Sequence, residues 1–226
     1  AENGIDAAHV LAAMPQSPQS VILYDADGRR SGFTDLKDIQ ERAFPGERFA
    51  QAAAACEACV LCNINFARGL LPLAKRLGKL VATDVHTIAN VEDSFNRDFM
   101  AAADILFCSN ERLPTAPETW VRAVAARYNP AVQVVGLGKE GALLLERGAE
   151  PVHVPARRMR PVVNTIGAGD ALFSAFLHSY LQSGDAPAAL RLAVLYASWK
   201  VGGNGGADGL LSATELAQLA RTSPTA

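Results

Sequence analysis

The feature that most constrains the fold is an alternation of short apolar runs with segments of helical periodicity, which starts near Phe49 and ends at Gly136. The apolar runs carry apolar residues at successive positions, as strands of a parallel sheet do when helices cover both faces. We therefore predict an α/β fold. The predicted strands are Cys59–Asn63, Leu80–Thr83, Ile105–Cys108 and Val132–Gly136, and the predicted helices are Ala50–Cys56, Gly69–Leu77, Asn96–Ala103 and Glu118–Tyr128.

The alternation is absent from both ends of the chain. Near the start, Val21–Tyr24 and Arg29–Thr34 flank the turn residues Asp25–Gly28, which predicts a hairpin over about residues 19–35. No internal repeat and no linker interrupts the chain, so we expect a single domain over residues 1–226. After Gly136 we predict antiparallel strands at Gly141–Leu145 and Val152–Val154, helices at Gly169–Gln182 and Ala186–Val201, and a last helix that opens on the capping-box pair Ser212 and Glu215.

Composition excludes several classes of function. The 226 residues are 50% hydrophobic and 19% charged with a formal charge of −2, the balance of an ordinary soluble domain. No basic cluster of the size that DNA or RNA requires is present, and no apolar run reaches transmembrane length. We expect a cytoplasmic protein without nucleic acid or membrane as a partner. The compact basic group at residues 157–160 is predicted to be a solvated turn.

Three of the four cysteines have a regular spacing, at Cys56, Cys59 and Cys62. Iron–sulfur ligands can be spaced in this way. Here the first cysteine follows a helical pattern and the other two lie in a predicted strand, where residues three apart point to opposite faces. We therefore predict buried free thiols in a reducing compartment.

A run of small residues, Gly167-Ala168-Gly169, lies between the strand-like stretch Pro161–Val163 and a segment with helical spacing. A glycine turn that opens a helix directs backbone N–H groups and the positive end of the helix dipole at one point. Asp170 follows in the first helical turn, where a carboxylate can accept a proton from a hydroxyl. Phosphoryl transfer needs such an anion-binding turn beside a base.

This stretch resembles the second signature of the ribokinase-like (PfkB) carbohydrate kinases, Asp-Thr-x-Gly-Ala-Gly-Asp, which Thr165, residues 167–169 and Asp170 match. The resemblance implies a three-layer α/β sandwich with a mainly parallel central sheet and a small β lid, formed by the hairpin at about residues 19–35. It further implies ATP-dependent phosphorylation of a hydroxyl, such as the hydroxymethyl group of a sugar or nucleoside, with Mg²⁺ as a cofactor. Asp170 would be the catalytic base, and the amides of Gly167, Ala168 and Gly169 would hold the transferring phosphoryl group.

The same resemblance assigns further residues to the site. Asn110 would contact the nucleotide, and Thr165 and Gly169 would lie beside it. Asp84 follows a strand and would bind near the sugar, although an aspartate there can equally form a local Asx turn. The glycine-rich stretch after the strand Val132–Gly136 would line the nucleotide through Gly136, Gly138, Lys139 and Gly141, with Lys139 near the phosphates.

Three departures from the family pattern are visible. Asn164 replaces an aspartate that helps to hold a monovalent cation in some relatives, so the sequence does not establish whether this chain has a K⁺-type site. Leu113 replaces an acid that organises Mg²⁺-bound water, and Glu111 either substitutes for that acid or has a helix-capping or surface role. We recognise no counterpart of the family's N-terminal part, so an upstream segment with most of the sugar contacts is expected. Lids of the family pair between subunits, which makes a homodimer possible.

Two other readings remain. Gly136-x-Gly138-x-x-Gly141 after a strand is a dinucleotide fingerprint, which would make the protein an NAD-dependent oxidoreductase. That fingerprint requires a helix after its last glycine, and residues 142–147 are too few for one. A Walker A loop fails because Gln133 and Glu140 stand at two of its required positions. A non-catalytic binding protein of the same fold is disfavoured by Asp170 and favoured by Leu113.

Overall fold

A computed structural model describes residues 7–24 and 30–223 of the chain. The chain divides into two compact units, one ending at Val81 and the other beginning at Ala82. The turn predicted at Asp25–Gly28 lies outside the described residues. Along the described chain, no helix is both long enough and apolar enough to cross a membrane.

The first unit contains the predicted hairpin. Strand β1 (Gln19–Tyr24) pairs antiparallel with β2 (Arg30–Asp35), and Val21 lies opposite Phe33. Val21, Leu23 and Phe33 share one face and are 58%, 55% and 64% exposed. The remaining elements of this unit are a short 3₁₀ helix at Ala7–His9, α1 (Gly46–Ala53), β3 (Ala58–Val60), α2 (Asn65–Arg68) and α3 (Leu71–Arg76).

The first unit corrects the predicted bounds of three elements. The helix predicted at Gly69–Leu77 is present but shorter, as α3, which begins at Leu71 because Pro72 lacks a backbone N–H and is tolerated only in the first turn of a helix. The strand predicted at Cys59–Asn63 is only β3 (Ala58–Val60), so Cys62 lies beyond it. Helix α1 ends at Ala53, so Cys56 lies beyond it and is exposed. Cys62 is half-buried, so of the three regularly spaced cysteines only Cys59 is buried as predicted. All four cysteines are free.

The second unit is built on a sheet whose strands follow in chain order. Three are parallel, β4 (Leu80–Thr87), β5 (Ile105–Ser109) and β6 (Val132–Gly136), and two are antiparallel, β7 (Ala142–Glu146) and β8 (Val152–Val154). Each predicted strand of this unit is confirmed. Strand β4 runs four residues further than predicted, and its register with β5 breaks between Asp84 and Thr87.

Helices cover both faces of this sheet. The helices are α4 (Arg97–Ala102), α5 (Pro117–Tyr128), α6 (Ala168–Ser183), α7 (Ala186–Lys200) and α8 (Ala213–Thr222), and the first four lie within one residue of prediction. On β5, the Phe107 ring packs 4.7 Å from Phe173 of α6, whereas the next residue, Cys108, accepts a hydrogen bond from Trp120 of α5. Successive strand residues point to opposite faces, so α5 and α6 form the outer layers of the predicted sandwich.

The segments around α6 and α8 are partly as predicted. The capping box of α8 is confirmed, because Ser212 Oγ accepts from the Glu215 N–H and the Glu215 carboxylate accepts from the Ser212 N–H. Residues 161–163, predicted to be strand-like, form no strand. Val162 and Val163 are 68% and 58% exposed, so burial does not favour a strand there.

Candidate active site

The carboxyl ends of β4, β5 and β6 meet at one edge of the sheet. Thr87 pairs with Ser109, and Ser109 pairs with Gly136. Asp84 lies near the end of β4, and Asn110 comes directly after β5, so two predicted site residues join the start of the glycine-rich loop at this edge. Open α/β sheets bind their ligands at this location.

The signature helix α6 begins over the same edge. A Cβ atom placed on Gly136 would lie 3.7 Å from Leu172 Cδ2, so the start of α6 is close to the end of β6. Gly167 is the N-cap residue, and its carbonyl accepts from the Ala171 N–H at 2.9 Å. The Ala168 N–H donates to the Thr165 carbonyl at 3.2 Å. The amides of Gly169 and Asp170 follow in the first turn, where the helix offers N–H groups no acceptor further back. Thr165, Gly169 and Asp170 are exposed, so a ligand can reach them.

A second glycine-rich loop, residues 202–206, forms the other wall of the signature turn. Gly167 has φ of 79°, and a Cβ atom there would lie 2.6 Å from the Gly206 carbonyl oxygen, so only glycine fits. Asn164 also connects the two segments, because its Nδ2 donates to the Asn204 carbonyl at 3.0 Å while its Oδ1 accepts from the Ile166 N–H at 2.8 Å. The four glycines of this loop are visible in the sequence, but its contact with the turn is not, because that contact depends on tertiary packing.

Asp84 is buried beside the signature turn. Its side chain forms the Asx-type bond that the sequence left open, with Oδ1 accepting from the His86 N–H at 2.7 Å. Burial raises the pKa of the Asp84 carboxyl, the nearby His86 opposes this, and the charge of Asp170 raises it further. The charge of Asp170 thus acts on the Asp84 carboxyl, and the local turn is compatible with a position of Asp84 in the site.

His86 is a residue that the sequence did not single out. It has a left-handed backbone with φ of 57°, and its Nδ1 lies 3.6 Å from Asp84 Oδ2. The irregular register of β4 between Asp84 and Thr87 places it there, and such irregularities are frequent beside active sites. No pattern in the sequence announces the irregularity.

The glycine-rich loop after β6 returns as a strand. A 3₁₀ turn at Gly138–Glu140 leads to Gly141, whose φ is 98° and where a Cβ atom would lie 2.0 Å from the Val154 carbonyl oxygen. Strand β7 follows at once and pairs antiparallel with β6, as predicted. The helix that a dinucleotide fingerprint requires is therefore absent after Gly141. Gly138 and Lys139 are exposed at the site edge.

Asn110 begins a short 3₁₀ helix, Asn110–Arg112, and is half-buried. Ser109 caps this helix by accepting from the Glu111 N–H at 3.3 Å, so the capping role considered for the Glu111 side chain belongs to Ser109. Glu111 is exposed and Leu113 is half-buried. The position of Leu113 therefore holds no acid, as the sequence indicates.

The basic group at residues 157–160 is not a solvated turn. The Arg157 N–H donates to Ser198 Oγ at 3.0 Å. The Arg160 guanidinium lies 4.2 Å from the centroid of the Trp199 ring, and its Nε donates to the Trp199 carbonyl at 2.6 Å. These contacts hold the end of α7, from which the second glycine-rich loop departs, and only Arg158 is exposed.

The central sheet with its covering helices and glycine-rich loops forms an α/β fold with a candidate ligand site at one edge, and comparison with known protein families identifies which family has it. Residues 76–213 match the pfkB family carbohydrate kinases, so the chain belongs to that family. The match includes every residue described above at the sheet edge, both glycine-rich loops and the signature turn. Resemblance and fold prediction are thereby confirmed.

Among known proteins, the chain is similar to kinases of sugars and sugar-like compounds. It is 50% identical to the deoxyribokinase of Salmonella typhi over 72 residues, which are 32% of this chain and 23% of the relative. It is 28% identical to the acarbose 7(IV)-phosphotransferase of an Actinoplanes species over 177 residues, 76% of this chain and 58% of the relative. The solved structure of a microbiome-derived acarbose kinase superposes with a TM-score of 0.80 at 28% identity, covering 89% of this chain and 68% of that one. The chain thus spans between about a quarter and three fifths of the curated relatives.

Proposed function

We propose that the protein is an ATP-dependent kinase that phosphorylates a hydroxyl group, most simply the hydroxymethyl group, of a sugar. The observation that carries the proposal is the position of Asp170. Its carboxylate stands in the first turn of α6, among amides that can bind an anion, at the edge where β4, β5 and β6 end. A base and an anion-binding turn at one place are what phosphoryl transfer to a hydroxyl requires.

In this proposal the two sides of the edge have different tasks. The nucleotide lies along Gly136, Gly138 and Gly141, with Lys139 at its phosphates and Asn110 beside it. The acceptor lies on the side of Asp84 and Asp170. Asp170 removes the proton of the attacking hydroxyl, while the amides of residues 167–169 stabilise charge on the transferring phosphoryl group. Thr165 and Gly169 line the turn between the two ligands.

Mg²⁺ is compatible with these residues. The described residues contain no group of three histidine, cysteine or acidic side chains able to hold a metal by themselves. Kinases, however, bind Mg²⁺ through one or two carboxylates and the phosphates of the substrate. Asp84 and Asp170 are carboxylates at the right edge, and the ion would neutralise charge on the β- and γ-phosphates when bound. Leu113 can contribute no ligand.

The acceptor class follows from the names of the relatives. A deoxyribokinase and an acarbose phosphotransferase both act on carbohydrate hydroxyls, so we propose a sugar in preference to a nucleoside. The test is ADP release by the purified protein with deoxyribose, ribose, acarbose and a nucleoside as acceptors. ADP release with a sugar supports the proposal. ADP release with the nucleoside alone would show that the acceptor class is wrong, although the proposed kinase activity would stand.

Nucleotide binding separates the proposal from its alternatives. A ligand that binds only the native state raises the midpoint of thermal unfolding. We expect stabilisation by ADP and none by NADH, because β7 stands where a dinucleotide-binding helix would be. ADP binding without turnover of any acceptor would instead favour the non-catalytic binding protein, the alternative that Leu113 supports.

We also propose that the protein is cytoplasmic and forms a homodimer through the β1–β2 hairpin. Four free cysteines are typical of a reducing compartment, which fractionation of the source cells would test. The exposed apolar face of Val21, Leu23 and Phe33 supports the dimer. Phe33→Lys should convert the dimer to a monomer in analytical ultracentrifugation, whereas Thr34→Lys, on the opposite face, should leave it unchanged. A wild-type protein that sediments as a monomer would contradict this proposal.

A further inference from the structure

Lys200 is the last residue of α7 and is fully buried, with a relative exposure of 0%. Its Nζ donates to the Gly205 carbonyl at 2.6 Å and to the Ile166 carbonyl at 3.4 Å. A lysine is seldom fully buried, since removing an ammonium group from water is costly unless acceptors replace the solvent. Both acceptors here are main-chain carbonyls, one directly before the signature turn and the other in the second glycine-rich loop.

The two carbonyls lie where two loops touch. Ile166 immediately precedes Gly167, the N-cap of α6, and Gly205 immediately precedes Gly206, whose carbonyl approaches Gly167. The ammonium group therefore bridges the signature turn and the second glycine-rich loop. Without it, the oxygens of Ile166 and Gly205 would face each other without a positive charge between them.

Backbone carbonyls that converge in this way form the ligand set that proteins use for K⁺. The family resemblance raises the same ion, through an acidic residue at the position of Asn164. In this chain the residues do not fit such an ion. Asn164 is a neutral amide, and its oxygen and nitrogen are engaged by the Ile166 N–H and the Asn204 carbonyl. The neighbouring Ile166 and Gly205 carbonyls accept from Lys200 instead, and a free cation would meet a fixed positive charge of the same sign.

We propose that the Lys200 ammonium is a covalently attached substitute for a monovalent cation, and that it positions the signature turn. Two consequences follow, the second of which rests on the proposed kinase function. The fold of the turn should not depend on K⁺, because its charge is supplied by the chain. Turnover should not depend on K⁺ either, since Lys200 holds Gly167 and the amides of α6 in place without touching the substrate. Lys200 is accordingly a positioning residue.

The test compares two variants in buffers that contain tetramethylammonium, Na⁺, K⁺ or NH₄⁺ as the monovalent cation. Lys200→Ala removes the side chain and leaves room for an ion, whereas Lys200→Met removes the charge but fills the space. The readouts are the thermal unfolding midpoint, the affinity for ADP and, with an acceptor, kcat. Lys79→Ala is the matched control, because Lys79 Nζ also donates to two carbonyls, those of Ala54 and Cys56, outside the site.

We expect the wild-type values to change less than twofold, and the midpoint by less than 1 °C, on exchange of the cation, roughly the level of non-specific salt effects. In tetramethylammonium, Lys200→Ala should lose at least tenfold in ADP affinity or kcat, and K⁺ or NH₄⁺ should restore most of the loss, on the order of a single charge-assisted contact. Lys200→Met should show the loss without the restoration. Lys79→Ala should show no response to the cation.

Two results would overturn the inference. One is a wild-type protein that K⁺ stabilises or activates about tenfold over tetramethylammonium, which would reveal a free cation at the turn; this measurement stands even if the variants do not fold. The other is a Lys200→Ala protein with unchanged midpoint and ADP affinity. Because these readouts need no acceptor, they remain decisive if no sugar is phosphorylated, an outcome that would contradict only the proposed function.

Discussion

At the residue scale, Asp84 combines an energetic cost of burial with a proposed role at the site. Its carboxyl is buried, and burial together with the charge of Asp170 raises its pKa, while His86 offsets part of the effect. A carboxyl whose pKa is raised on folding holds its proton more tightly in the native state than in the unfolded chain. Its contribution to stability is therefore complete below about pH 3.9 and is lost as the pH rises through the raised value.

The substitution Asp84→Asn should separate the energetic cost of burying the Asp84 carboxylate from the proposed role of that carboxylate at the site. The amide oxygen can still accept from the His86 N–H, and the variant has no charge to bury. We expect urea unfolding to show a gain in the free energy of unfolding at pH 7 that shrinks as the pH falls and vanishes near pH 4 or below, with turnover reduced at least tenfold, roughly the worth of one charged contact. A variant that is less stable than wild type at pH 7, or equally active, would contradict this view of Asp84.

At the residue scale the sequence predicts only those groups that adjoin a recognisable pattern. Asp84 and Asn110 follow apolar strands, and Asp170 follows a glycine turn, so their places at one edge could be expected. His86 and Lys200 could not, because the first depends on an irregular strand and the second on a loop brought back by tertiary packing. A lysine at the end of an apolar helix reads equally well as a solvated C-terminal residue.

At the scale of elements, the start of α6 has two glycines with different tasks. Gly167 has a positive φ and touches the Gly206 carbonyl, whereas a Cβ atom on Gly169 would meet nothing within 4 Å and its backbone is helical. The first glycine is thus required by the fold. The second leaves space that an approaching phosphoryl group can use.

A pair of alanine substitutions tests this division. Gly167→Ala should lower the free energy of unfolding by about 1–3 kcal/mol, the cost of a strained backbone and a forced contact. Gly169→Ala should leave stability unchanged or raise it by up to about 1 kcal/mol, since alanine favours the helix, yet it should weaken ADP binding or turnover at least tenfold. Chemical denaturation and ADP titration measure both effects. Full activity in Gly169→Ala would show that the phosphate does not approach this turn.

Most helices and strands could be predicted from the sequence, and the same physical reasons explain the predictions that were wrong. Apolar strands such as Ile105–Ser109 and the capping box of Ser212 and Glu215 carry their own local signals. Val162 and Val163 are β-branched, but the Val163 N–H donates to the Val201 carbonyl after α7 and not to a strand. The helix expected from Gly69 begins two residues later, at Leu71, because Pro72 can stand only in the first turn of a helix.

For the molecule as a whole, the chemistry depends on bringing distant parts of the sequence to one edge of the sheet. The parallel order of β4, β5 and β6 gathers Asp84, Asn110 and Gly136, and α6 adds Asp170 from the other end of the second unit. Binding and chemistry are assigned to different groups at this edge. In the proposed function, backbone amides and the glycine-rich loop hold the nucleotide, while the Asp170 carboxylate accepts the proton of the acceptor hydroxyl.

Replacing Asp170 with asparagine tests this account most directly, because the change keeps the shape of the side chain and removes the base. The measurement pairs ADP affinity by calorimetry with steady-state turnover of the best sugar acceptor. We predict an ADP dissociation constant within about threefold of wild type and a kcat lower by roughly two to four orders of magnitude, the usual contribution of a general base. Near-normal turnover in Asp170→Asn would contradict the central claim that Asp170 activates the acceptor hydroxyl.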